Sequence, residues 1–248
     1  MTLVWRPGFQ FDADASTYIE AVEAADTQAL ETGVRYAIND FVIGCKNDGI
    51  WNAIKASCIL AGARTLDGAL VPLVGTAPTN YNFVSGDYNR ETGLVGDGST
   101  KYLDSNRSNT VDPEDDNHLS AWSAVGGDGN LIGVDDNHIQ PQTSLNFLYV
   151  RSRSSTPNSS SGSSWTGLAG ISRNSSSVFN FRINQTTATF SRDSTSYTAG
   201  NVFVFRRNSL GVYTNARLAF YSIGESLDLA LLDTRVSNLM TAIGAAIP

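Results

Sequence analysis

Residues Tyr88–Ser105 read YNRETGLVGDGSTKYLDS. Two short arms, Thr92–Val95 and Thr100–Leu103, flank Gly96-Asp97-Gly98-Ser99. The arms hold β-branched and aromatic residues, as strands do. Gly96 and Gly98 supply positive φ at no steric cost, and Asp97 can bond its own backbone, so the stretch predicts a β-hairpin. It also divides the chain. Helical periodicity precedes it, and short strands with turn signals follow it until one last helix.

Upstream, residues 14–31 predict a helix capped by Asp14 or Ser16, with Tyr18, Ile19, Val22, Ala25 and Ala29 on one face. Residues 27–46 predict a second, striped by Leu30, Val34, Ile38, Phe41, Val42 and Cys45. Residues 48–61 predict a third: Asp48 caps it, Ile50, Trp51, Ile54, Cys58 and Ile59 line a face, and Gly62 stops it. These stripes read as core that covers either one another or one face of a sheet. Residues 1–12 read as an extended arm in which Val4, Trp5, Phe9 and Phe11 alternate loosely around Pro7-Gly8. An apolar arm packs on its own domain or docks on a neighbouring subunit, which makes these four the candidate assembly residues. The organisation expected is an arm over 1–13, a helical leader over 14–64 and a β unit over 65–248.

Downstream, Leu70–Val74 reads as a short strand that Pro72 places at an edge. Further strands are expected at 118–125, 130–134, 145–153, 165–171, 178–183, 187–191, 202–206 and 217–221. Many short alternating strands separated by turns are the signature of a sandwich or barrel. FNFRIN (179–184) and FVFRR (203–207) carry Phe on one face and polar groups on the other, as half-buried strands do. Asn106–Asn117 is an acidic loop, and 154–164 is a Ser-rich surface loop. In 226–246, Leu232, Val236, Leu239, Met240 and Ile243 run at helical spacing and predict a closing helix, capped by Ser226 or Asp228. No repeat of fixed period is present.

Composition narrows the function. Charged residues make up 17 % of the 248, below the usual quarter, and neutral polar residues replace them. The net charge is −7 and only Lys46, Lys55 and Lys101 are lysines, which argues against a nucleic-acid partner. MTLVWRPGF has neither an apolar run nor a small-residue cleavage site, so no secretory signal is expected. No stretch approaches the roughly 18 apolar residues of a membrane span, so no membrane insertion is expected. Cys45 and Cys58 are too few for a disulfide framework and read as two buried thiols or one bridge between neighbouring helices.

The order of motifs carries a resemblance. A GDGSTKYL turn (96–103), a His118-Leu-Ser-Ala-Trp122 strand, a Ser/Asn-rich middle and RLAFYSIGESLDLALLDTRVSNLMTAI (217–243) follow one another. This resembles the concanavalin A-like (laminin G-like) sandwich domains of structural proteins of tailed bacteriophages, where a phrase such as FYSIGESL, here Phe220–Leu227, runs into a closing helix. AINDFVIGCKNDGIWNAIKASCILAGA (37–63) is similar to the helical segment before such sandwiches. The resemblance covers 14–248. It implies a mostly β, jelly-roll-type antiparallel sandwich with an N-terminal helical leader and a C-terminal closing helix. It further implies a virion protein made in the host cytoplasm: a homo-oligomeric tail fibre or appendage subunit, expected as a trimer, beside other virion proteins and a host surface glycan. A capsid decoration protein, with the arm and helices clamping capsomers, is the alternative. Fold alone chooses neither.

Glycoside hydrolysis needs two placed carboxylates, and the Glu-x-Asp-x-x-Glu pattern of active glucanases of this fold is missing. Asp112–Asp116 reads as a solvated loop and Glu225–Asp228 as a helix start, where acids suit the dipole. There is no Gly-x-Ser-x-Gly elbow, His-Glu-x-x-His or zinc-spaced cysteine pair. No catalytic residue is assigned, no enzyme is expected, and a glycan-degrading enzyme is the remaining alternative. Calcium is the one cofactor considered: Asp135, Asp136 and Asn137 supply hard oxygens, without a twelve-residue loop pattern, and otherwise read as a polar turn. Glycans need an exposed aromatic beside polar groups. Among Trp122, Trp165, Tyr149, Tyr197 and Tyr213, Trp122 reads as core, while Trp165 beside the Ser-rich loop and Tyr197 in STSYTAG are the candidates.

Overall fold

A computed structural model describes residues 10–142, 146–161, 165–183, 185–195 and 197–248. Its first helix, α1 (Ala13–Asp26), starts where the Asp12 carboxylate accepts the Asp14 N–H at 3.0 Å. It ends at Asp26, five residues short of the expected end at 31, because Thr27 takes left-handed backbone with φ 54°. The connector folds back as Glu23 accepts the Leu30 N–H at 2.8 Å and binds Arg35. The second helix, α2, therefore spans Thr32–Asn47 rather than beginning at 27.

The expected third helix over 48–61 is not formed. A single 3-10 turn at Trp51–Ala53 leads into strand β1 (Ile54–Ile59), which pairs antiparallel with a later strand. All but one residue of β1 are buried, and a short run buried on both faces cannot be told from a helix by periodicity. Leu70–Val74 is likewise not a strand. A short helix, α3 (Leu66–Ala69), precedes it, and only Val74 bridges, to Ser57.

The remaining strands form two antiparallel sheets. The first runs, in spatial order, β13 (Thr186–Ser191), β12 (Val178–Ile183), β11 (Gly167–Arg173), β6 (Asn117–Val125), β17 (Arg217–Gly224), β4 (Gly93–Val95) and β3 (Tyr88–Asn89), with β1 also paired along β17. The second runs β10 (Asn158–Ser161), β9 (Phe147–Ser152), β8 (Asn137–Gln142), β7 (Ile132–Val134), β14 (Asn201–Val204), β5 (Tyr102–Ser108) and β2 (Thr79–Tyr81). A two-residue ribbon, β15 (Arg206–Arg207) with β16 (Val212–Tyr213), follows β14.

The stretch expected as one hairpin is divided between the sheets. Its real hairpin is β3 with β4. Gly93 turns it with φ 92°, where a Cβ would stand 2.1 Å from the Leu218 carbonyl oxygen. Gly96–Lys101 then crosses from β4 in the first sheet to β5 in the second. Asp97 holds that crossing by accepting the N–H groups of Ser99, Thr100 and Lys101 at 2.8–3.0 Å. These bonds favour the ionised carboxylate and hold it below the usual carboxylate range against a desolvation penalty of the opposite sign.

The sandwich interior holds Leu103, Leu119, Ile139, Phe181, Val204 and Tyr221. A second core lies on the other face of the first sheet, where α1, α2 and the closing helix α4 (Leu229–Ala246) pack. Phe41 of α2 meets Phe220 edge-to-face with ring centroids 5.7 Å apart. β17 is thus buried on both faces, which explains its nearly unbroken apolar run LAFYSI. Asp228 caps α4 by accepting the N–H groups of Ala230 and Leu231. The layers are helices, first sheet and second sheet, so the fold is the mostly β antiparallel sandwich with a closing helix that was expected.

Candidate functional site

The expected site residues divide among four places. Val4, Trp5 and Phe9 lie outside the described residues. Phe11, expected in an assembly arm, packs edge-to-face on Tyr36 of α2 at 5.4 Å, within its own chain. Trp165, expected exposed beside the Ser-rich loop, is only 3 % exposed in the sandwich interior, where its large apolar ring is removed from water. A buried ring offers no sugar a platform.

Asp136, Asn137 and Tyr197 come together. Asp136 accepts the Asn109 side-chain amide at 3.1 Å and the Thr198 N–H at 2.6 Å. Asn137 donates to the Asn109 side-chain oxygen at 3.1 Å. The buried Arg153 donates to the carbonyls of Asn109, Asp112 and Pro113 and lies over the Tyr197 ring at 5.1 Å. The cluster fastens the acidic loop 106–117, Tyr197 and Thr198 to the sandwich. Asp135 is half-buried and uses its carbonyl to accept from Arg151 at 3.1 Å. Both oxygens of Asp136 receive N–H donors, and no three of His, Cys, Asp and Glu among the described residues gather as a metal-binding group. This cluster does the work of a fastening, and no calcium is assigned to it.

The two histidines are also structural. His118 is fully buried, with Nδ1 2.5 Å from the Glu225 carbonyl oxygen and Nε2 2.6 Å from the Ser222 hydroxyl. Burial disfavours its cation and pushes its pKa down to about 4. His138 is pushed down to about 3, first by burial and then by the charge of Arg207.

The fourth place is the outward face of the second sheet. Along β5 the residues Leu103 and Ser105 point inward, which turns Tyr102 and Asp104 outward; along β14 the buried Val202 and Val204 turn Phe203 outward. Register sets Tyr81 of β2 opposite Tyr102, and their rings stack at 4.4 Å with planes 3° apart. Phe203 and Tyr213 adjoin Tyr102 at 4.9 and 6.1 Å. Phe205, at φ 69°, is a bulky residue in left-handed backbone, buried edge-to-face against Phe83. That kink takes the chain from β14 into β15 and sets Arg206 over the outer rings. Its guanidinium carbon is 4.8 Å from the Tyr102 centroid, 5.0 Å from Tyr213 and 5.4 Å from Phe203.

The cluster remains open to solvent. Tyr81 is 40 % exposed, and Tyr102, Phe203, Arg206 and Tyr213 are half-buried. Partial burial raises the Tyr102 phenol above its usual range while Arg206 opposes the shift, so the ring stays a neutral hydrogen-bonding group. Flat rings flanked by a guanidinium, Asp104 and Asn201 can stack on the C–H face of a sugar and bond its hydroxyls. Of these residues the sequence reading weighed only Tyr213. The signal available was alternation in Lys-Tyr-Leu at 101–103, which turns Tyr102 away from the core; FVFRR was expected to keep Phe203 and Phe205 on one face, but the left-handed backbone at Phe205 leaves Phe203 outside and buries Phe205.

No protein-family model matches the chain, and no curated protein matches it. Among solved structures it is similar to the binding domain of botulinum neurotoxin serotype D, with 11 % identity and a TM-score of 0.49 over 75 % of this chain and 52 % of that one. It is similar to the binding domain of serotype D/C VPI 5993, with 13 % identity and a TM-score of 0.44 over 77 % and 52 %. The binding domain of botulinum neurotoxin DC in complex with SialylT shows 15 % identity and a TM-score of 0.37 over 60 % and 40 %. The chain spans about half the length of the first of these.

Proposed function

We propose that this chain is a lectin-like virion structural protein of a tailed bacteriophage, an appendage or fibre subunit that presents the outer face of its second sheet to a host surface glycan. The observation that carries the binding half is the Arg206 guanidinium set over Tyr102, Phe203 and Tyr213 on a solvent-facing sheet. The virion half rests on the motif order from GDGSTKYL to FYSIGESL. The layering supports both. The helices occupy the far side of the first sheet, so attachment of a homo-oligomer through the N-terminal segment would leave the second sheet free. A head decoration role draws on the missing shaft repeat.

The test is a glycan array with the wild type and Tyr102→Ala. Binding that the variant loses at an unchanged unfolding midpoint supports the proposal, and an array without hits overturns its binding half. Cryo-electron microscopy of the parent particle decides the position: density at the tail fits an appendage, and density over capsomers fits decoration. We expect no hydrolysis, and reducing-sugar release abolished by an Asp or Glu substitution would overturn that.

A further inference from the structure

Among the described residues of this acidic chain, positive charge is almost entirely committed. All three lysines and six arginines are ion-paired. Arg153 and Arg173 are buried and donate to backbone carbonyls, Arg153 through its terminal nitrogens alone. Arg192 and Arg217 bond a side-chain amide oxygen and carbonyls respectively. Three described arginines remain, Arg151, Arg206 and Arg207, and all three belong to the second sheet or the ribbon that continues it.

Of these, Arg151 donates to the carbonyls of Asp135, Ser154 and Ser155. Among the described residues Arg207 bonds the ring nitrogen of His138, at 3.4 Å, with the Asp135 charge opposing the desolvation of its guanidinium, and that histidine is neutral near pH 7. Arg206 contacts aromatic faces and forms no ion pair with a described residue. The Nε atoms of Arg206 and Arg207 are both buried without a hydrogen-bond partner. Arg153 Nε shares this state in the fastening cluster, and what marks Arg206 is the placement of its guanidinium over solvent-facing rings. The carboxylate of Asp104, on the same face, is already engaged by the Asn201 side-chain amide at 3.2 Å and the Asn106 N–H at 2.8 Å. It is placed to accept from a sugar hydroxyl rather than to neutralise Arg206.

We infer that this face selects a carboxylate-bearing sugar, such as a uronic-acid residue of a polysaccharide, with Arg206 holding the carboxylate and Tyr102 and Tyr213 holding the ring. The inference rests on the glycan-binding reading above and specifies its substrate class. A guanidinium pairs with a carboxylate through two parallel N–H bonds, which an uncharged hydroxymethyl group cannot reproduce. The aromatic surround lowers exposure to water and counter-ions, so the pairing is stronger here than on an open surface.

The experiment uses the full chain and a matched pair, a galacturonate hexamer and the same hexamer after carboxyl reduction, beside a glycan array with acidic and neutral members. The acid is expected to bind roughly tenfold more tightly than its neutral twin and to weaken as salt rises. Arg206→Gln is expected to remove that preference while leaving residual neutral binding, and Arg206→Lys to restore it in part. Arg192→Gln, on a surface arginine outside this cluster, is the control. Equal binding of the two hexamers, or array hits confined to neutral sugars that Tyr102→Ala abolishes, would overturn the acidic preference while the glycan-binding reading stands. An array without any hit removes both. Selectivity of the wild type decides the matter even if a variant fails to fold.

Discussion

Arg182 of β12 donates through Nε to the Asp233 carboxylate of α4 at 2.8 Å, and the two side chains are 11 % and 6 % exposed. The pair is completed by Thr187, which accepts from Arg182 at 2.9 Å, and by Ser237, which donates to Asp233 at 3.2 Å. It ties the closing helix to the sheet. Removing one partner leaves a nearly buried charge uncompensated, whereas replacing both can be close to neutral. Asp233→Ala should therefore cost about 3 kcal/mol in chemical unfolding, and Arg182→Met with Asp233→Leu should recover most of it. A single-mutant loss below about 0.5 kcal/mol would show that the helix is held by its apolar stripe alone.

The two buried histidines set an acid limit on stability. His118 is held down at about 4 and His138 at about 3, chiefly by burial. The unfolded chain titrates near the ordinary value of about 6.5 and so takes up protons first as pH falls. The contribution is whole above pH 6.5, declines through the window down to about 4 and about 3 respectively, and levels below. For His118 this amounts to about 3 kcal/mol. Urea midpoints measured at several pH values between 7.5 and 4.5 should fall steeply for the wild type and less steeply for His118→Gln. Parallel slopes would assign the acid loss to other groups.

The large elements were legible because their patterns are local. α1, α2 and α4 carry helical stripes, and all eight strands expected after residue 117 exist within a few residues. What failed needed knowledge of partners. β1 is apolar on both faces because β17 lies beside it and helices lie over it, and neither fact is local. β8 lies outside the expected strands because Asn137 reads as part of a polar turn with Asp135 and Asp136, yet its pairing with β7 and β9 is continuous. The outer-face cluster draws on five strands, β2, β5, β14, β15 and β16, that together span more than a hundred residues, so no window contains it. Asp136 and Tyr197 were chosen as ligand-binding types, but their neighbours Asn109 and Arg153, more than 25 and 40 residues away in sequence, turn them into fasteners.

Both cysteines are fully buried, and burial pushes each thiol up to about 12. Cys58 lies on β1 with Sγ 3.3 Å from the Tyr221 hydroxyl, while Cys45 lies on α2, and both are free. Thiolate is the reactive form, so neither should modify in the folded protein at pH 8. An aromatic disulfide reagent should register no thiol under native conditions and two in denaturant. One fast native thiol would mean that α2 or β1 opens locally.

Arg153 is the residue on which the acidic loop depends. It is 1 % exposed and has no carboxylate in ion-pair distance among the described residues; its charge is satisfied by the carbonyls of Asn109, Asp112 and Pro113 and by the Tyr197 ring. Burial lowers its pKa, while the Asp112 and Asp136 charges oppose the shift, so it remains a cation. In Arg153→Met the three carbonyls lose their donor, and those that cannot reach water cost about 1–3 kcal/mol each. The loop lies at the surface, so water should recover some of them, and the net loss should be about 2 kcal/mol. The local effect should be larger than the global one, with faster amide exchange and proteolytic nicking within 106–117 before the sandwich unfolds. Tyr197→Phe keeps the ring under the guanidinium and should behave as wild type. If Arg153→Met leaves exchange in this loop unchanged, the Asn109–Asp136–Asn137 bonds hold it by themselves.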